Sequence, residues 1–170
     1  MRFVSLVLLM AIGLSGCSWE RRVKHLDNEE FAHYGALKVW MTEEERKAYL
    51  KLKSLENRNG YLVELGLWDR FYGLPAAKQQ AVLDGEVGVG WTKEMVLMAW
   101  GRPHDFQKLV GREAKRSERY VYRFELHEGG VVYVWRPEHK TDYKALKMFS
   151  KDVIFDDDVV SEVHKRDTAL

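Results

Sequence analysis

The chain has 170 residues, 27 basic against 26 acidic side chains, and one cysteine. This balance gives no general electrostatic pull on nucleic acid, and a lone cysteine excludes an internal disulfide. Six Trp, eight Tyr and seven Phe argue for a packed domain and against a disordered tether.

Met1 and Arg2 make a short, positively charged start. Phe3 to Leu14 follows as an almost wholly apolar run of twelve residues. A permanent membrane span needs about 20 apolar residues, whereas a run of this length suits the core of a secretory signal. It ends in Leu14-Ser15-Gly16-Cys17, which resembles the lipobox of bacterial lipoproteins. The resemblance implies a signal peptide over 1–16, cleavage between Gly16 and Cys17, and acyl chains on Cys17 as a membrane anchor. Small Ser15 and Gly16 let a peptidase reach the backbone, and the thiol carries the lipid. Each buried methylene of such chains contributes about 0.8 kcal/mol. Ser18, in place of aspartate after the cysteine, fits delivery to the outer membrane, with the domain facing the periplasm. The 154 residues from Cys17 onward hold 26 basic and 26 acidic side chains, enough chain for one domain with a real core.

Residues 17–26 read as a polar tether and 27–75 as a helical region. Asp27 can cap a first helix with Phe31, Tyr34, Leu37 and Met41 roughly on one face. Thr42 and Glu45 form a capping box for a helix expected to reach about Asn57, with Asn59-Gly60 as its stop. Tyr61, Leu65, Trp68 and Tyr72 have the spacing of another amphipathic helix. Gly73 and Pro75 close it and open the next, over Ala76 to Leu83.

A glycine-rich link, 84–90, leads to a compact helix capped by Thr92, apolar from Met95 to Trp100 and stopped by Gly101 and Pro103. A helix apolar on all sides is expected to be buried beneath a sheet. Arg119 to Leu126 alternates as a strand, and Glu128-Gly129-Gly130 turns it into Val131 to Arg136. A polar loop (137–144) follows. Leu146 to Phe155 and Val159 to His164 make a second strand pair around Asp156-Asp157-Asp158. The fold class expected is α+β, with N-terminal helices followed by a helix–helix and antiparallel-sheet domain over 76–170.

The residues Gly90-Trp91-Thr92-Lys93-Glu94-Met95-Val96, followed by Gly101 and Pro103, resemble the signature of the SmpA/OmlA (BamE) lipoproteins. The order of later strands is similar too, and the resemblance covers about residues 77–167. It implies two helices packed on a small antiparallel sheet, an arrangement shared with β-lactamase-inhibitor proteins. Members of that family are accessory subunits of the machinery that folds β-barrels into the outer membrane. Gly90, Thr92, Val96, Gly101 and Pro103 are structural in this motif: they turn, cap, fill and stop. Trp91 stands where the family has methionine, and three helices replace its short arm between lipid and domain. The helical part, Tyr34 to Pro75, is similar to that of GWxTD-motif proteins, although that motif itself is missing.

No catalytic constellation emerges from the residues. The six histidines (His25, His33, His104, His127, His139, His164) are scattered, without metal-ligand spacing, and are expected on the surface or in loops. Asp156-Asp157-Asp158 lacks the alternating ligands of a calcium loop and reads as a solvated turn. Gly85 to Gly90 lacks the ending of a phosphate loop, and neither Ser15 nor Ser161 has a nucleophile setting. Lys108 to Arg123 holds six basic residues against two acidic ones. A solvated loop leading into a strand is the preferred reading, and a lipid or acidic-partner contact the alternative. Trp91, Trp100 and Trp135 are expected in the core.

The function expected is that of a non-enzymatic, lipid-anchored periplasmic scaffold or adaptor, without metal or cofactor. Its partners would be the membrane, through Cys17, and envelope proteins, with barrel assembly the role the resemblance implies. The alternative is an inhibitor or binding module for an envelope enzyme.

Overall fold

The computed structural model describes residues 20–135 and 145–167. Gly16, Cys17, the signal segment and the polar loop 137–144 lie outside the described residues. The second half of the expected tether is a 3-10 helix, Glu20–His25, whose Val23, with the following Leu26, packs against the core.

Six α-helices follow among the described residues. Helix α1 (Asn28–Leu37) is capped by Asp27 and Glu30 in a reciprocal box, and α2 (Glu43–Lys51) by Thr42 and Glu45 in the same way. Both boxes satisfy amides that have no partner in the first helical turn. The inward face of α1 differs from the expected one. Phe31 is 56% exposed, while Glu30, His33, Tyr34 and Leu37 are buried. Helix α2 also ends sooner than expected, because Leu52 leaves the helix in an extended conformation and Ser54 caps a new one, α3 (Leu55–Glu64). Asn59-Gly60 therefore lies inside α3, not at a stop. The stripe from Tyr61 to Tyr72 is likewise broken, since Gly66 takes φ +66° and α4 (Trp68–Tyr72) starts in a new direction. That left-handed backbone favours glycine. Helix α5 (Ala76–Asp84) ends on Gly85, and α6 (Lys93–Trp100) is capped by Thr92.

The sheet is antiparallel throughout, which with the helices makes an α+β fold. Its strands are β1 (Asp105–Leu109), β2 (Ser117–Leu126), β3 (Val132–Val134), β4 (Lys147–Asp156) and β5 (Val159–Asp167). Strand β2 is central: β4 pairs along its whole length on one side, and β1 and β3 share the other. Strand β5 borders β4, with a bulge between Ile154 and Phe155. Strand β1 has no counterpart in the expected elements, because Asp105 to Leu109 shows no apolar alternation and β2 alone recruits it. The turn at Asp157-Asp158 places both residues at positive φ (48° and 67°), the geometry of a tight two-residue hairpin that aspartate tolerates.

Strand periodicity divides the sheet into two faces. Tyr122, Phe124, Phe149, Val153 and Phe155 turn toward α6, where the Trp100 indole meets Tyr122 and Phe124 edge-on, with ring centroids 5.1 and 5.0 Å away. One hydrophobic cluster joins these residues to Tyr34, Leu37, Leu62, Phe71 and Val82 of the helical half. The core is thus continuous across the expected boundary at 75/76.

Candidate functional site

Three regions warrant a chemical reading: the Gly90–Pro103 motif, the sheet face turned away from α6, and a hollow between α1, α4 and α5.

The motif ties α6 to the sheet at both ends. Gly90 donates its N–H to the Val160 carbonyl, the Trp91 carbonyl accepts from Val160, and Lys93 N–H reaches the Asp158 carbonyl (each 2.8 Å). These bonds cover the start of edge strand β5. Thr92 Oγ1 accepts from Met95 N at 3.3 Å, and Val96 is fully buried. The Lys93 ammonium pairs with Glu118 of β2 (2.5 Å) and with Asp158 of the β4–β5 turn. At the other end Gly101, at φ 74° and ψ −155°, adopts a backbone reserved for glycine and accepts the Tyr122 hydroxyl at 3.1 Å. Half-buried Pro103 then leads into the pairing of His104 N–H with Val121. The sequence-predicted residues Gly90, Thr92, Val96, Gly101 and Pro103 are therefore joined as one clamp, and none offers a reactive group.

The opposite face is a lattice of ion pairs. Arg112 grips Asp156 through two nitrogens, Nε to Oδ1 (2.9 Å) and Nη2 to Oδ2 (2.7 Å), and also reaches Glu162 (2.7 Å). Ser117 donates to the same aspartate at 2.5 Å, and these donors hold its carboxyl well below the usual carboxylate range. Arg166 and Arg119 lie 2.5 and 3.7 Å from Asp152, a carboxylate only 2% exposed. Arg116 pairs with Asp158. The basic stretch thus spends Arg112, Arg116 and Arg119 on carboxylates of β4, β5 and their turn. The turn is correspondingly more than a solvated loop, since Asp156, Asp157 and Asp158 all bind basic residues or their backbone. Trp135 corrects another expectation. It lies half-buried outside the core, beside His104 (5.2 Å between rings) and under the Arg123 guanidinium.

The hollow has a volume of about 470 Å³, and its lining includes Glu29, His33, Tyr72, Gln79 and Gln80. His33 was expected on the surface but is 1% exposed, packed against Trp68, Phe71 and Tyr72. Its Nε2 is hydrogen-bonded to the Tyr72 hydroxyl and lies 3.8 Å from the Glu29 carboxylate. Burial lowers the His33 pKa, outweighing Glu29, Asn59, Asp27 and Glu30, which act in the opposite sense. Burial, then Glu29, raises the Tyr72 pKa. Both shifts favour the neutral forms, and the hydrogen bond between phenol and imidazole is a strut between α1 and α4 that leaves Nε2 engaged. The missed signal was positional: His33 shares the inward face of α1 with Glu30 and Leu37, which becomes visible only once the face is known.

A histidine whose folded pKa is depressed binds fewer protons than in the unfolded chain, so stability is complete above the unfolded value of about 6.5. It falls as pH drops below that value, until the lower folded pKa is passed. We expect the urea midpoint to decline over this window and a His33→Gln variant to flatten the decline. An unchanged pH profile in the variant would remove His33 from this account.

Among the described residues no group of three or more His, Cys, Asp or Glu side chains is placed to hold a metal ion. No helix there is long and apolar enough to cross a membrane. Comparison of the chain with protein-family models, curated proteins and solved structures found no match.

Proposed function

We propose that this protein is a lipid-anchored scaffold of the bacterial cell envelope, held on the outer membrane through Cys17, facing the periplasm and serving β-barrel assembly as an accessory factor. The observation that carries the anchor is the sequence Leu14-Ser15-Gly16-Cys17 behind a twelve-residue apolar run. The clamp at Gly90–Pro103 supports the BamE-like part of the reading, because every motif residue serves the packing of a helix on an antiparallel sheet and none serves a reaction. The alternative, an inhibitor of an envelope enzyme, calls for an exposed aromatic patch on the free sheet face. Register instead makes that face largely charged, with Arg119, Arg123, Asp152, Glu162, His164 and Arg166, while exposed Tyr133 and half-buried Trp135 sit toward its β3 edge, and this favours the scaffold.

A Cys17→Ala variant is expected to take up no labelled fatty acid and to keep its leader. Acyl label on the variant, or normal cleavage, would sink the anchor. Affinity capture of the acylated protein from detergent-solubilised envelopes tests the role: barrel-assembly subunits should co-purify, and deletion should lower outer-membrane barrel levels. Normal levels and no such partner would leave an anchored protein with another task.

A further inference from the structure

The opening 3-10 helix, Glu20–His25, has two sides. Val23 and Leu26 turn to the core, while Arg21, Arg22, Lys24 and His25 are exposed. Several basic groups of the fold are taken up by carboxylates, among them Arg58, Lys93, Arg112, Arg116, Arg119 and Arg166. Arg21, Arg22 and Lys24 enter no ion pair among the described residues. Several nearby acids are engaged elsewhere: Asp27 caps α1, and on α2, packed alongside, Glu43 pairs with Lys47 and Glu45 closes its capping box.

The position of this helix adds the second observation. Only Ser18 and Trp19 separate Cys17 from Glu20. At no more than about 3.6 Å per residue, the helix begins within roughly 11 Å of the cysteine. The Debye length at physiological ionic strength is about 8 Å, a distance comparable to this reach, so an anchored domain with this helix turned to the bilayer brings these cations into the headgroup field. We propose that the basic side of this 3-10 helix is the surface on which the domain rests on the bilayer, its partner the phosphates of anionic phospholipid headgroups. This rests on Cys17 being the anchor. Within the Lys108–Arg123 stretch, by contrast, Arg112, Arg116 and Arg119 are committed to carboxylates of the fold.

On this reading the mature chain starts at Cys17, and its only thiol gives a unique coupling point. The test couples that chain to a maleimide-bearing lipid in zwitterionic vesicles, or in the same vesicles with about a third anionic phospholipid. Backbone amide exchange is then read over residues 20–26. Exchange is expected to be at least about fivefold slower on anionic vesicles and to recover in high salt. A variant carrying Arg21→Ser, Arg22→Ser and Lys24→Ser should lose the slowing while amides of β2 and β4 keep theirs. Equal exchange on both vesicle types, or slowing that persists in the variant, would overturn the proposal. Because the coupling supplies the anchor chemically, this outcome bears on docking alone. Failure of the natural anchor would show separately, as a missing lipid mass on Cys17 in protein from envelopes.

Discussion

Replacing Arg58 with alanine should cost roughly 3–5 kcal/mol of folding stability, because it leaves the Glu30 carboxylate buried without its partner. The two side chains are only 10% and 6% exposed, and they hold three helices at one point. Glu30 Oε1 takes the Arg58 guanidinium of α3, while Glu30 Oε2 accepts from the Asp27 amide to close the α1 cap (3.1 Å). Arg58 also donates to the Leu52 carbonyl at the end of α2 (2.5 Å). The Tyr49 hydroxyl approaches the Glu30 carbonyl at 3.5 Å. For a domain of this size each kcal/mol shifts Tm by about 2–4 °C, so the drop should be roughly 10 °C. A double variant, Arg58→Met with Glu30→Gln, keeps an acceptor for the cap and removes both charges. It should recover at least half of the loss, since a buried pair replaced as a unit is often nearly neutral. Urea unfolding of wild type, single and double variants checks this. A single variant within about 1 kcal/mol of wild type would mean that water reaches the pair and screens it.

Trp100→Ala should cost a similar amount, roughly 3–5 kcal/mol, through lost contact and the cavity left behind. The indole is 2% exposed and sits where the clamp, α5 and the sheet meet. Its ring faces Tyr122 and Phe124 edge-on, and its Nε1–H donates to the Gly85 carbonyl, the C-cap of α5, at 3.1 Å. The Lys151 ammonium lies over it, 4.9 Å from the ring centroid. Trp100→Phe separates the two contributions: it keeps an aromatic ring and deletes the donor, for an expected cost of about 1–3 kcal/mol. If phenylalanine proved as damaging as alanine, the hydrogen bond to Gly85 would outweigh the packing. If both were mild, α6 would not be the support of the sheet described above.

These two sites were unequally legible in the sequence. Trp100 could be placed in the core because it closes a helix apolar on every side, bounded by Thr92 and Gly101. Arg58 could not, because its value depends on Glu30, twenty-eight residues earlier, and nothing local distinguishes it from a solvated arginine. The same contrast separates the clamp from the charge lattice. Thr92, Gly101 and Pro103 announce their roles through backbone chemistry, while Arg112 finds Asp156 and Glu162 only after β2, β4 and β5 are aligned. The run of six basic residues was visible as a run. Its neutralisation was not.

By itself the sequence determined whatever depends on a few neighbouring residues. Caps at Asp27, Thr42 and Thr92, the helix starts behind them, the strands from 119 and 146 onward, a turn around Asp156-Asp157-Asp158 and the α+β order all follow from side chains meeting their own backbone. Only the tertiary structure decided which face of α1 turns inward, where the long helical stripes break, that His33 is buried against Tyr72, that β1 joins the sheet, and which cations remain unpaired. Each of these depends on desolvation and pairing between distant segments, and those energies exist only once the segments are brought together. That Arg21, Arg22 and Lys24 enter no ion pair among the described residues is therefore a result of the fold, although their nearness to Cys17 was written in the chain.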